Sequence, residues 1–338
     1  MTNQPKVAVV ILNWNGLDYL KKFLPSVIKS SYSNLDIILG DNASTDASVS
    51  FVSSNYPEIR IIQNDQNYGF AGGYNKILEQ LDQDYFILLN SDVEVDPEWI
   101  EPVISLMESD HQIAAAQPKI LSYSNKHFFE YAGAAGGFID KLGYPFCRGR
   151  IFDTVEEDDG QYDGNSEIFW ASGAALFIKK SNWIEAGGLD SDFFAHMEEI
   201  DLCWRLKNLG YKIMFCSESK VYHVGGGTLN AENPFKTYLN FRNNLVLLLK
   251  NLPAGKSFPI IFIRFWLDLI SLIKFLLESK PKNAKAVSKA HIYFFENLNK
   301  NIQKARSISK SEFNSTALYE KSIVWQYFVK GVKKFRDL

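Results

Sequence analysis

Along the first third of the chain, short apolar runs alternate with stretches of helical period. "KVAVVIL" (6–12), "LDIILG" (35–40), "IRIIQN" (59–64) and "YFILLN" (85–90) have the length and β-branched content of strands. The segments between them, near residues 17–31, 44–55 and 70–82, have helical period and length. Strand–helix alternation of this kind predicts βαβ units and a mostly parallel, doubly wound sheet. "KVAVVIL" is almost unbroken in its apolar character, as expected of a strand buried on both faces. Ligands of such sheets bind beyond the carboxyl ends of the strands. That rule singles out "NWNG", "DNASTD", "NDQNYGFAGG" and "NSDVEVD", each following a strand and each rich in Asn, Asp or Gly.

Residues 113–225 are mixed. The acidic stretch "DTVEEDDGQYDG" reads as a mobile surface loop, "EIFWASGAALFIKK" as a strand or strand pair, and "AHMEEIDLCWRLKNLGYK" as a helix ending at Gly210. From about residue 233 carboxylates thin out and Lys, Leu, Phe and Ile dominate. "PFKTYLNFRNNLVLLLKNLP" starts with Pro and stops before Pro253, so it predicts a helix, and the tail beyond 281 predicts basic helices. The expected division is an α/β domain over 1–232 and a C-terminal helical region over 233–338. "FPIIFIRFWLDLISLIKFLL" (258–277) has the length of a membrane span but contains Arg264, Asp268 and Lys274. Charges at mid-span cost several kcal/mol each, and Arg264 and Asp268 are spaced to pair on one helical face. The segment therefore predicts an amphipathic helix lying on a membrane or on the domain.

Composition removes some classes. A chain of 338 residues holds one large α/β domain with an appendage, or two domains. Its net charge of −3 offers no global basic field for nucleic acid. The three cysteines, Cys147, Cys203 and Cys216, form no CxxC pair, which predicts neither a disulfide framework nor a zinc site and fits a reducing cytoplasm. No signal peptide is read at the N-terminus.

Five constellations carry candidate chemistry. Asp41, at a strand end, is placed to accept the N3–H of a uracil or thymine ring, while Ser44, Thr45 or Asp46 can cap the following helix. Gly69, Gly72 and Gly73 open a helix after a loop. Their order is not GxGxxG and no P-loop occurs, but they allow close approach to a nucleotide sugar. Asp92 is an oxygen ligand for a divalent cation at a strand terminus, whereas Asp96–Pro97 reads as a cap and first residue of a helix. Glu198, Glu199 and Asp201 crowd the start of one helix. That favours the helix dipole and also raises carboxyl pKa values toward those of a general base. His223 ends a strand before a run of glycines, where a mobile loop could bring a metal ligand beside a phosphate.

Taken in order, "VVILNWNG", "DNASTD", "NYGFAGGYN", "LLNSDVEVDP", "WASGAALFIKK", "GGLDSDFFAHMEEIDLCWRLKNLGYK" and "VYHVGGGT" resemble the family-2 inverting glycosyltransferases of the GT-A fold, and among them the rhamnosyltransferase-like branch. The resemblance covers about residues 5–250. It implies an α/β GT-A fold, a divalent cation (Mg²⁺ or Mn²⁺) and a dTDP- or UDP-sugar donor. It further implies a saccharide or polyprenyl-linked acceptor and peripheral placement on the inner face of the cell membrane. Asn13, Asn15, Asp41, Asn67, Gly69, Gly72, Asn90 and Asp92 match donor-binding positions. Asp92 is the last position of the family's DXD motif, whose first position here is Asn90, so part of the metal's hold passes to His223. Glu199 falls on the catalytic base, with Glu198 as fallback and Asp201 and Arg205 as positioning groups. Trp170 and Gly173 are expected on the acceptor side, Trp170 as a sugar platform or as plain core. Two other readings are a nucleotidyltransferase, which would want a GxGTR-like phosphate loop absent here, and a non-catalytic carbohydrate-binding protein.

Overall fold

A computed structural model of the chain describes residues 4–225, 233–310 and 312–338. Four strands, β1 (Val7–Asn13), β2 (Leu35–Asp41), β3 (Arg60–Gln63) and β4 (Tyr85–Asn90), run parallel in the order β3–β2–β1–β4. The crossovers between them contain α1 (Leu17–Ile28), α2 (Ser48–Asn55) and α3 (Gly69–Leu78). β1 reads as expected: Ala8 and Val10 enter the core cluster on one face of the sheet, while Val7, Val9 and Ile11 enter the cluster on the other. Each Val or Ile side chain among them taken wholly out of water contributes about 1.5–3 kcal/mol.

Past β4 the sheet becomes mixed. β5 (Val93–Val95) leads to α4 (Glu101–Ser109) and β6 (Ile113–Ser122). A smaller sheet is then built from β7 (Gly137–Asp140), β8 (Pro145–Cys147), β9 (Arg150–Ile151) and β10 (Thr154–Val155). The chain returns to the main sheet through β11 (Ser166–Ile168) and β12 (Ala175–Lys179), passes along α5 (Lys180–Ala186) and α6 (Glu198–Asn208), and closes it with β13 (Lys212–His223). The full order is β11–β13–β6–β12–β4–β1–β2–β3, with β5 paired to β13. β12 is antiparallel to both β4 and β6, so the expected strand pair in "EIFWASGAALFIKK" exists but its members pair with other strands. α6 ends at Asn208, and Gly210, at φ +90°, turns the chain just past it, close to the expected end.

The C-terminal region contributes α7 (Pro234–Asn251), α8 (Ala254–Leu277), α9 (Pro281–Glu296), α10 (Leu298–Ser307) and α11 (Ile323–Phe328). Asn233 caps α7 and Pro234 is its first residue. The tail is not helical throughout: β14 (Leu318–Tyr319) adds a parallel strand to β7, and the Asp140 carboxylate accepts the backbone N–H of Ile323 at 2.9 Å. Among the described residues no helix is long and apolar enough to cross a membrane. The boundary expected at 232/233 and the glycine run at 226–227 lie outside the described residues.

Two local expectations are corrected. Asp96–Pro97 begins a turn, not a helix, because Ser31 draws the Pro97 carbonyl and the buried Trp99 indole donates to Ser30 Oγ; α4 starts later, at Glu101–Pro102. The acidic stretch 153–164 is not simply surface loop. Lys119 on β6 is buried, and an unpaired ammonium there would be costly. Asp158 at 2.8 Å and Asp163 at 2.7 Å pair with it, while the buried Glu156 accepts from the Tyr162 hydroxyl.

Candidate active site

The strand register puts the ends of β1, β2 and β4 side by side, with Asn13 opposite Asp41 and Leu12 opposite Asn90. Asn13 and Asp41 are fully buried. Asn13 Nδ2 donates to Asp41 Oδ1 at 3.0 Å, and the Ser44 N–H donates to Asp41 Oδ2 at 2.9 Å. The exposed Asn15, at φ +52°, accepts the Thr45 N–H at 2.7 Å through Oδ1. "NWNG" and "DNASTD" are thus locked together, and Asp41 is the pin. Asn67 belongs to the next loop: its Oδ1 accepts from Asn42 Nδ2 at 2.9 Å and from the Gly69 N–H at 2.8 Å. Gly69 has φ +69°, and a Cβ on it would lie 2.6 Å from the Phe194 carbonyl oxygen, so only glycine lets α3 meet that segment. A Cβ on Gly72 would lie 3.0 Å from Tyr68 Cβ.

On the other side of β4 the antiparallel pairing of β13 with β5 carries His223 to Asp92. His223 Nε2 lies 3.1 Å from Asp92 Oδ1 and 3.4 Å from Asn90 Nδ2. Both His223 and Asp92 are buried. Behind the ring, Nδ1 is 3.4 Å from Glu130 Oε2. Burial alone would lower the imidazole pKa, but the Glu130 and Asp92 carboxylates prevail and hold it up at about 10. Among the described residues no group of three His, Cys, Asp or Glu side chains is placed to hold a metal ion. The Asp92–His223 pair fits as half a site once an arriving cation displaces the imidazole proton that the two carboxylates otherwise hold. Adjacent ligands of an octahedral cation with bonds of about 2.1 Å are about 3 Å apart, and the remaining positions suit phosphate oxygens and water. Asp92→Asn is expected to weaken Mn²⁺-dependent nucleoside diphosphate binding roughly tenfold or more, read by calorimetry. Unchanged affinity would remove Asp92 from the metal role.

The candidate base sits on a strained turn. Phe194, His196 and Met197 all have positive φ (64°, 68° and 73°), an arrangement costing about 1–3 kcal/mol for each non-glycine residue unless its surroundings enforce it. Here α7 enforces it. Asn243 Nδ2 donates to the carbonyls of Phe193, Ala195 and His196 at 3.1, 2.9 and 2.7 Å, and Arg242 Nη2 donates to that of Phe193 at 2.7 Å. From the other side, the Phe70 N–H at the start of α3 donates to the Phe194 carbonyl at 2.7 Å. The turn delivers Glu198 and Glu199 to the first positions of α6, each with a carboxylate oxygen, Oε2, buried and without a hydrogen-bond partner. Burial pushes the Glu199 carboxyl up to about 7. Burial, and then the neighbouring Glu199 charge, push Glu198 well above the carboxylate range. His196 lies on the same turn: its Nε2 is buried without a hydrogen-bond partner, and burial holds its pKa down to about 4.

Gly173 joins the site. A Cβ there would lie 3.0 Å from the Phe70 ring and 3.9 Å from Glu199 Cβ, so the missing side chain leaves room beside Glu199. Trp170 does not join it. Only 4% of its surface is exposed, its ring covers Gly137, and its indole N–H donates to the Phe138 carbonyl at 2.9 Å. It is core, the second of its two expected roles, and not a sugar platform. Asp201 is corrected as a catalytic candidate as well. It is fully buried and occupied by Arg205 Nε at 2.9 Å, Lys250 Nζ at 2.9 Å and Asn251 Nδ2 at 2.8 Å. Despite its burial, the Lys250 and Arg205 charges keep its pKa lowered, so it is a spent carboxylate that anchors α6 to α7. Arg205 extends the anchor by donating to the Gly188 carbonyl at 2.7 Å.

Glu130, His196, Arg242 and Asn243 escaped sequence reasoning. Glu130 offered one signal, a lone acid in the otherwise aromatic and small "HFFEYAG".

With this geometry described, comparison with known proteins places the chain. Residues 8–156 match the family described as Glycosyl transferase family 2. Over 233 residues the chain is 24% identical to an N-acetylglucosaminyl-diphospho-decaprenol L-rhamnosyltransferase of Mycobacterium tuberculosis, covering 64% of this chain and 75% of that protein. Among solved structures it resembles S. aureus TarS 1–349 in complex with UDP, with a TM-score of 0.54 and 15% identity over 97% of this chain and 92% of that one. It also resembles GalNAc-T7 with UDP, GalNAc and Mn²⁺, with a TM-score of 0.58 and 17% identity over 73% of this chain and 48% of that longer one. The fold is GT-A: a large mixed sheet flanked by helices, followed by C-terminal helices.

Proposed function

We propose that the protein moves a sugar, with rhamnose the first candidate, from a dTDP- or UDP-activated donor to a saccharide acceptor carried on a polyprenyl lipid. The transfer inverts the anomeric centre and serves cell-surface polysaccharide assembly at the inner membrane face. One observation carries this reading: Glu199 stands beside Gly173 at the head of α6 with an unpartnered carboxylate oxygen and a pKa of about 7. A base tuned near the working pH is what proton removal from a sugar hydroxyl needs. The rhamnosyltransferase relative supports the donor class and the lipid-linked acceptor.

In the proposed reaction the acceptor oxygen attacks the anomeric carbon as Glu199 takes its proton. The bond from that carbon to the diphosphate oxygen breaks, and the nucleoside diphosphate leaves with the bonding pair. Direct displacement from the opposite face accounts for inversion. The ends of β1, β2, β3 and β4 and the start of α3, with Asn13, Asn15, Asp41, Asn67, Gly69, Gly72 and Asn90, hold the donor nucleotide. Asp92 and His223 would hold a divalent cation, which when bound stabilises the charge developing on the diphosphate. Isothermal titration with UDP, dTDP and GDP in the presence of Mn²⁺ tests the reading: binding of dTDP or UDP is expected, and failure of all three to bind would remove it.

A further inference from the structure

The amphipathic pattern of α8 is inverted with respect to its polar residues. Its ionised pair points inward, where Arg264 is 3% exposed and Asp268 1%, and where Asp268 Oδ2 lies 3.1 Å from His291 Nε2 of α9. Arg264 Nη1 donates to the Leu142 carbonyl at 3.1 Å and so ties α8 to the β7–β8 connection. The outward face is apolar. Phe262, Trp266, Leu269, Ile270, Ile273 and Leu277 form one stripe at three- and four-residue spacing, with Ile270 63% and Leu277 81% exposed. The stripe runs along a helix about 36 Å long.

The stripe is continued by its neighbours. Phe265 stacks on the exposed Phe295 of α9 with ring centroids 5.2 Å apart, and Lys274 Nζ lies 5.9 Å from the ring of the exposed Phe328 on α11. Trp325 and Val329 are exposed beside Phe328. Contiguous apolar surface on this scale marks an interaction site. Exposed lysines accompany it: Lys256 and Lys274 on α8, Lys282, Lys285 and Lys289 on α9, and Lys330 and Lys333 after α11.

We infer that the outer face of α8, with the adjoining exposed residues of α9 and α11, is the surface by which this protein lies on an anionic lipid bilayer. The charge complementarity decides the occupant. Tryptophan and phenylalanine seat at the headgroup level while lysines on extended stems reach lipid phosphates. A second copy of the chain would bring the same lysines against each other. Arg264 and Asp268 are held on the protein side by each other, by the Leu142 carbonyl and by His291, with Arg264 Nε alone left unpartnered, so the helix rests on the membrane without that pair entering it. The inference deepens the proposed lipid-linked acceptor and rests on that reading, since it holds the site next to a membrane-borne substrate.

The test is co-sedimentation of the full chain with vesicles. Pelleting is expected with phosphatidylcholine containing phosphatidylglycerol and not with phosphatidylcholine alone, and it should fall as salt rises. Trp266→Glu and Ile270→Glu should each lower vesicle affinity roughly tenfold or more. The exposed-lysine variant Lys282→Glu/Lys285→Glu/Lys289→Glu should lower it by roughly fivefold per lysine without touching the core. All variants should keep dTDP or UDP affinity, which also reports that they fold. Three results would overturn the inference: a wild-type chain that stays in the supernatant with anionic vesicles, variants that pellet like wild type, or a dimer that Ile270→Glu converts to monomers with no vesicle binding in either form. Vesicle binding with no nucleotide binding would instead remove the proposed function and leave the surface standing.

Discussion

Glu199→Gln is expected to lower sugar transfer by about 10²–10⁴-fold while leaving nucleoside diphosphate affinity unchanged. The amide keeps the size of the side chain in the space beside Gly173 but accepts no proton from a sugar hydroxyl. The wild-type pH profile carries the same information. With the carboxyl pushed up to about 7 by burial, the base is protonated and idle below that pH and competent above it. Turnover should therefore rise through a limb near pH 7, and the variant's residual activity should lack that limb. The stability consequence has the opposite sign. A raised folded-state pKa makes Glu199 burial easiest at low pH and increasingly costly as pH rises from about 4.3 through 7. The variant should accordingly gain thermal stability over wild type at pH 8 but not at pH 4. A fully active Glu199→Gln would transfer the base role to Glu198, whose carboxylate oxygen also lacks a partner.

The second large effect is on stability. Lys250 sits between two carboxylates, with Nζ 2.6 Å from Asp190 Oδ2 and 2.9 Å from Asp201 Oδ2, and all three side chains are largely out of water. Removing one member of a buried ionic cluster strands the others, at about 3–5 kcal/mol. Lys250→Met should show that loss in urea unfolding. Asp201→Asn/Lys250→Met should recover part of it, because the neutral amide no longer needs a cation; strictly additive losses would contradict the coupling. In the wild type, Asp201 and Asp190 have folded pKa values below their ordinary ones. Their contribution is present above about pH 4 and disappears as the pH falls through the folded values, so Lys250→Met should flatten the acid limb of stability. This cluster joins α6 to α7, and α7 also clamps the strained turn through Arg242 and Asn243. Loss of activity should therefore accompany loss of stability in Lys250→Met, unlike in Glu199→Gln.

The parts of the fold legible in the sequence are those dictated locally. β1 to β4 and the helices between them are marked by β-branched runs and helical period, and the polar ends of those strands mark the edge proposed to hold the donor. The antiparallel insertion of β12 between β4 and β6 has no local signature, so the switch to a mixed sheet was not readable. Pairing of His223 with Asp92 was anticipated from resemblance and is delivered by the β13–β5 register, while Glu130, which backs the His223 ring, comes from an irregular segment with no periodic signal. Context decided between alternatives the sequence left open: Trp170 fills the space over Gly137 as core, and Asp201 balances Lys250 and Arg205 and anchors α6 without reaching the chemistry. The lysines of the acidic-poor C-terminal region were visible in the sequence, whereas which side of α8 faces out was not.

The central claim, acceptor-dependent transfer from a nucleotide sugar, is tested most directly by a donor screen. The full chain is incubated with Mn²⁺, a polyprenyl-diphosphate-linked saccharide and dTDP-, UDP- or GDP-sugars in turn, and the released nucleoside diphosphate is measured. The expected result is release of dTDP or UDP that requires the acceptor and collapses in Glu199→Gln. Absence of release from every donor, or equal release by wild type and Glu199→Gln, would contradict the account.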